Sequence, residues 1–423
     1  MTALTTYNKT DVTQRTTTST SAAEVTQYTV AWSDLTTAGF ANGDDVIVLV
    51  RWSVGGASTT TNSLSDFRIG STFAGATVQS SNRTEPDSSN AGRGAREFVW
   101  LDRITLATND NFYIALSSAA AGTARADNFS ILVLKLDDLA AGDFRYAEDT
   151  SSGDAPDYGS EADGASVTLP SGGGDDWLVI ATADWLVDSV TDAMRQQLSL
   201  GGTVAMINQW EGEDLAETWS IGSVGYLAAA SASAVCKLQY AAEGGNTHDY
   251  TRSAIFALRM DAFEAHIGSQ DGTDVNLPTT ADVFVETNTV DLVLSATRDV
   301  VYFAQSMFQV NHVQTSPYSR VQENNTDIIA WTDLGSGLRG TTDIVPQTRF
   351  AVASMTSGTK TIDEDSATDF ANALFPVAVD HALVAFTTEL AAAGGGRVMS
   401  SLAGPGGLAG AGGIAGVGGG LAG

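Results

Sequence analysis

The side chains that could do chemistry in this 423-residue chain are few and scattered. The four histidines are His248, His266, His312 and His381. No two stand at the i, i+4 spacing that puts a pair of imidazoles on one helix face for zinc, and neither His-Glu-x-x-His nor Gly-x-Ser-x-Gly occurs. A serine triad has no anchor here. His381, in Asp380-His381-Ala382-Leu383, stands at a strand start and reads as structural. Asp and Glu number 50 against 21 Lys and Arg. A carboxylate pair for glycoside hydrolysis can be drawn in many ways, and none is singled out. One segment has ligand-like spacing. Asp363-Glu364-Asp365-Ser366-Ala367-Thr368-Asp369 sets oxygens at alternate positions, as a calcium loop does, with Asp363, Asp365 and Asp369 as the expected ligands. It lacks that loop's central glycine and closing glutamate. Calcium is the one cofactor suggested. Trp52, Trp185 and Trp210 would serve as platforms for sugar rings if they stand at exposed edges. Cys236 alternates with Leu238 and Tyr240 and reads as a small buried side chain. A lone cysteine excludes an intrachain disulfide and a cysteine zinc cluster.

Charge narrows the partners. The net charge of −29 repels phosphate backbones, so nucleic acid is not expected as a ligand. Only Lys9, Lys135, Lys237 and Lys360 are lysines, a surface suited to a salty medium. Met1-Thr2-Ala3-Leu4-Thr5-Thr6 has neither the basic nor the apolar part of a secretory signal. No run of 18 or more large apolar residues marks a transmembrane helix. The expected location is a virion or the extracellular space, reached by lysis or particle assembly, with no membrane partner.

The elements that would position these residues are strands. Thr, Val, Ser, Ala and Gly are abundant, and 43% of the chain is hydrophobic. Asp44-Asp45-Val46-Ile47-Val48-Leu49-Val50-Arg51-Trp52 has the form of a buried strand, and it recurs. The second copy starts at Asp175-Asp176-Trp177-Leu178-Val179-Ile180, and the third at Arg298-Asp299-Val300-Val301-Tyr302-Phe303. Closing strands recur too, ending at Leu136-Asp137-Asp138-Leu139, Met260-Asp261-Ala262-Phe263 and Thr387-Thr388-Glu389-Leu390. Penultimate strands are expected at Phe112-Tyr113-Ile114, Cys236-Lys237-Leu238 and Phe350-Ala351-Val352, preceded by Trp100, Trp219 and Trp331. One landmark conflicts. Asp163 to Pro170 resembles Asp271 to Pro278 at a spacing of 108. Either the third domain holds an extra hairpin, or that likeness is chance.

The expected fold is all-β: three tandem jelly-roll-like β-sandwich domains plus a glycine-rich C-terminal tail. The boundaries are a Ser/Thr-rich arm at 1–27, sandwiches at 28–142, 143–264 and 265–391, and the tail at 392–423. No amphipathic helix is expected in the first domain. In the tail, Gly404, Gly407, Gly410, Gly413, Gly416 and Gly419 form one column when the sequence is written in threes. Leu402, Pro405, Leu408, Ala411, Ile414 and Val417 form a second. A left-handed helix with three residues per turn would carry each column on one edge, in the manner of polyglycine II. The apolar edge, Leu402, Leu408, Ile414 and Val417 with Leu421 beyond, is the expected partner-binding surface.

Tandem sandwiches, the 1–27 arm, high acidity and the Leu/Ala/Gly repeat of 402–423 together resemble structural proteins of tailed-phage particles. The resemblance lies in fibre, spike and decoration proteins, some of which end in apolar glycine-rich segments. It implies a non-enzymatic virion component, trimeric, docked on other virion proteins or bound to host-surface glycan. The three domains would make a rod or a cluster. A carbohydrate-binding adhesin and a polysaccharide-degrading enzyme are the alternatives.

Overall fold

The computed structural model describes residues 3–391 except 57–61, 85–95, 121, 171, 188–191, 212–216, 244–247, 279, 281–282, 310–316, 330–343 and 369–376. Its first sandwich comprises β1 (Thr6–Asp11), β2 (Arg15–Thr17), β3 (Ala23–Glu24), β4 (Asp45–Gly56), β5 (Ser63–Gly70), β6 (Thr77–Thr84), β7 (Arg96–Thr105), β8 (Asn111–Ser118) and β9 (Ala124–Lys135). The second comprises β10 (Phe144–Asp149), β11 (Gly153–Asp154), β12 (Ala162–Thr168), β13 (Trp177–Val187), β14 (Ala193–Leu200), β15 (Thr203–Glu211), β16 (Glu217–Leu227), β17 (Val235–Ala242) and β18 (His248–Arg259). The third comprises β19 (His266–Asp271), β20 (Val275–Asn276), β21 (Val285–Leu294), β22 (Arg298–Gln309), β23 (Pro317–Glu323), β24 (Thr326–Ile329), β25 (Ile344–Met355), β26 (Gly358–Thr368) and β27 (Val377–Thr387).

Strand order repeats three times. One sheet of each sandwich runs β1-β9-β4-β7, β10-β18-β13-β16 or β19-β27-β22-β25. The facing sheet runs β3-β8-β5-β6, β12-β17-β14-β15 or β21-β26-β23-β24, and β15 pairs with β25 edge to edge, so that the second sandwich's facing sheet and the third's first sheet are continuous. Two four-stranded antiparallel sheets with this interleaving make a jelly roll. The recurring opening strands are β4, β13 and β22, and each lies central in its sheet.

Those strands are apolar without a break because both of their faces are buried. On β4, Val46, Val48, Val50 and Trp52 face the sandwich's own core, while Ile47 and Leu49 enter a second core. On β13, Leu178 and Ile180 turn toward that second core, as do Val301 and Phe303 on β22. The closing strands add Leu132 and Leu134, Phe256 and Leu258, then Val384 and Phe386. All three sandwiches therefore pack the outer faces of one sheet each around a shared interior. The arrangement is a cluster and not a rod.

The acids that head these strands have a local cause. The Asp45 amide donates to Asp137 Oδ2 at 2.9 Å, and the Asp176 amide to Asp261 Oδ2 at 2.8 Å. Asp137 and Asp261 lie in the short 3-10 turns that follow β9 and β18. Backbone bonds repeat the threefold scheme, from Lys135 N to Thr5 O at 3.0 Å, Arg259 N to Asp143 O at 2.7 Å and Thr387 N to Ala265 O at 2.9 Å.

Residues 6–24 are not a free arm. β1 and β2 pair with β9, and β3 pairs with β8, so backbone bonding holds a polar stretch that no side-chain pattern announces. A short helix, α1 (Trp32–Thr37), buries Leu35 in the first sandwich. The penultimate strand of the third sandwich is β26, not the Phe350 strand, which is β25. Trp100 faces Val50 whereas Trp219 faces Trp185, so the two are not equivalent positions; Trp331 lies outside the described residues. Asp163 sits on β12 but Asp271 ends β19, so the 108-residue likeness is chance.

Candidate functional site

The structure gathers its unusual polar chemistry at the seams between sandwiches. The first and third meet at Glu97, on β7. Arg51 Nε donates to Glu97 Oε2 at 2.7 Å, Arg349 Nη1 to the same oxygen at 3.0 Å, and the Thr348 amide to Oε1 at 2.6 Å. Arg51 and Arg349 are 3% and 1% exposed. Burial pushes the Arg349 guanidinium down to about 9, against the pull of Glu97. One carboxylate thus holds two cations in a buried seam.

The first and second sandwiches meet at Arg252 on β18. Its guanidinium reaches Asp102 on β7 and Glu148 on β10, and it donates to Leu101 O at 3.0 Å. Tyr146 Oη donates to Asp102 Oδ1 at 2.6 Å. On the same seam Ser80 and Ser220 hydroxyls stand 2.7 Å apart, and the Ser220 amide donates to Asn82 Oδ1.

The second and third meet at Asp176. Tyr226 Oη donates to Asp176 Oδ2 at 2.7 Å, and His266 Nε2 lies 3.3 Å from that oxygen. Burial works against ionisation of Asp176, but the bonds from His266, the Ala229 amide and Tyr226 outweigh it and hold the carboxyl at about 2. Gln305 on β22 clasps β16, accepting from the Val224 amide and donating to Gly222 O. Close approach is needed here. A Cβ on Gly268 would stand 2.4 Å from the Tyr226 ring. Gly268→Ala is therefore expected to cost about 1–3 kcal/mol, as overpacking does, read as a lower urea midpoint at unchanged slope.

The residues singled out from the sequence fall elsewhere. Asp363 and Asp365 lie on strand β26, not in a loop. Thr289 Oγ1 donates to Asp363 at 2.6 Å, and Arg320 pairs with Asp365 at 2.8 Å, so both carboxylates already have partners. Asp369 lies outside the described residues, among which no three His, Cys, Asp or Glu side chains could together hold a metal ion. Trp52 and Trp185 are 0% exposed and cannot be sugar platforms. Each anchors its ring inside, Trp52 Nε1 on Ser65 at 2.9 Å and Trp185 Nε1 on Gln196 at 3.3 Å. The Trp210 backbone belongs to β15, opposite Met194. Cys236 is buried, and burial pushes its thiol up to about 11. His248 and His381 are buried, His266 is at the seam, and His312 is not among the described residues. Leu402, Leu408, Ile414, Val417 and Leu421 also lie outside them. Sequence reasoning missed the seam residues, Glu97 above all. Its signal was faint: Arg51 interrupts an otherwise apolar buried strand.

Among the described residues no helix is long and apolar enough to cross a membrane. No protein family matches the chain, and no curated protein does. Solved structures align with it at low identity. One, from an archaeal virus, is described as a triple jelly roll fold and turret assembly. It shares 10% identity over 81% of this chain and 79% of that one, with a TM-score of 0.20. The VP2 subviral particle of infectious bursal disease virus shares 9% over 58% of this chain and 72% of that one, with a TM-score of 0.23. A tandem CBM22 domain of Paenibacillus barcinonensis Xyn10C shares 10% over 55% and 82%, with a TM-score of 0.19. At scores this low the alignments bear on neither family nor function; the jelly-roll assignment rests on this chain's own strand order.

Proposed function

We propose that the chain is a non-enzymatic structural subunit of a virus particle, of the fibre, spike or decoration type found on tailed phages. The observation that carries this reading is the shared interior. Three jelly rolls spend the outer face of one sheet each on a common core and clamp every seam with buried ions or amides. Such an investment favours a rigid block over a moving active site. Copies then join one another, or other virion proteins, through the apolar column of the tail. The described chain ends near its own start, with the Leu4 amide donating to Thr388 O at 2.7 Å and the Ala391 amide to Ala262 O at 2.8 Å.

Removal of residues 394–423 tests the reading. The truncated chain is expected to be monomeric by light scattering, to keep its melting temperature, and to lose incorporation into particles. Unchanged incorporation would sink the tail as anchor. Release of reducing sugar from host polysaccharide by the full chain would favour an enzyme instead.

A further inference from the structure

Inside the third sandwich the apolar core gives way to a polar layer. Gln347, Ser306 and His381 are neighbours across β25, β22 and β27. Asn288 and Glu364 are neighbours across β21 and β26 in the facing sheet. Ser306 Oγ donates to Glu364 Oε1 at 2.6 Å and so ties the two sheets together. Ser306, Glu364 and His381 are each 0% exposed, and Asn288 is 6% exposed.

Glu364 Oε2, Asn288 Nδ2 and the His381 ring nitrogens make no well-formed hydrogen bond to protein, the His381 ring having only a weak backbone contact at Ala378. Buried polar groups are nearly always satisfied, by protein or by ordered water. The chemistry of the lining selects the guest. Burial pushes the Glu364 carboxyl up to about 8, against the Ser306 bond and the pull of Arg349. Burial pushes the His381 ring down to about 4, against the Ala378 backbone contact and the smaller pull of Asp271 and Asp274. Both groups are neutral at neutral pH, and each then offers one donor and one acceptor. A cation would face Arg349 with no carboxylate to hold it. An anion would face the carboxyl oxygens. Water donates and accepts, and three or so polar partners suffice to hold it.

We propose that the third sandwich encloses a hydration site, in which ordered water joins Glu364 Oε2, the His381 ring and Asn288 Nδ2. The site is proton-linked. The charged or titratable groups around Glu364 are Arg349 from β25, His381 from β27, and Asp365 next along β26, which points to the other face and pairs with Arg320. Glu364 binds its proton more tightly folded than unfolded. Its contribution to stability is full below about pH 4.5, the ordinary glutamate range, and is lost as pH rises through about 8.

A crystal structure of the full chain at about 1.5 Å would place the guest. Water density within hydrogen-bond distance of Glu364 Oε2 and the His381 ring is expected. A dry layer, or a direct bond between the two side chains, overturns the proposal. The proton linkage is read separately by melting curves at about pH 5 and about pH 8.5. The wild-type melting temperature is expected to fall more between them than that of Glu364→Gln, which cannot ionise. An equal fall in both proteins overturns the role of Glu364.

Discussion

Glu97→Ala is expected to destabilise the folded chain by about 3–5 kcal/mol, the cost of leaving buried charge without its partner. Among the described residues Glu97 is the one carboxylate bonded to both Arg51 and Arg349, and its side chain is 4% exposed. Without it two guanidinium groups face each other in a buried seam. Burial already disfavours the charged form of Arg349, and Arg51 adds to that effect. The Thr348 amide also loses its acceptor. Urea unfolding followed by tryptophan fluorescence should show a lower midpoint. Hydrogen exchange should show β25 and β7 losing protection together, since they flank the seam. Adding Arg51→Met and Arg349→Met to the variant should recover part of the loss, because apolar replacements of buried ions are often tolerated. A loss below about 1 kcal/mol would mean that water reaches these groups and that the seam is an ordinary surface pair.

Why Glu97 escaped a reading of the sequence is instructive. Sequence pattern reports burial through apolar spacing. It located β4, β13 and β22 because their side chains are apolar on both faces. The unbroken run of Val46 to Val50 already implied a second buried surface, and that surface is the shared core. The pattern fails where buried positions are polar. β26 reads as an acidic loop, yet Ile362, Glu364 and Ser366 point inward on it, each 0% exposed. The calcium expectation rested on that reading of a loop. β1 failed for a different reason. It is an edge strand whose main contribution is backbone bonding to β9, and Thr-Tyr-Asn-Lys-Thr-Asp carries no apolar alternation to reveal it. Trp52 and Trp185 failed as platforms because residue type alone does not say which sheet face a ring occupies. The identity of strands was legible, whereas partnership between domains, carried by single residues from distant segments, was not.

Phe303→Ala should test whether the three sandwiches are one cooperative unit. Phe303 is 0% exposed on β22. Its ring centroid lies 6.0 Å from Phe350 and 6.4 Å from Phe386, and Phe386 lies 4.5 Å from Phe263 at the end of the second sandwich. Truncation removes most of an aromatic side chain from the shared interior, at a cost of about 3–5 kcal/mol. Trp52→Ala should cost a similar amount, but that ring lies in the first sandwich's own core, against Phe67 and Phe98. The two variants therefore match in energy and differ in reach. Native-state hydrogen exchange separates them. With Phe303 truncated, amides of Ile47, Ile180 and Val301 should exchange faster together, since their side chains line one core in three different sandwiches. With Trp52 truncated, the increase should centre on the first sandwich. If Phe303→Ala loosens only the third sandwich, the central packing is adhesion between independent domains, and the rigid block on which the structural-subunit reading depends does not exist.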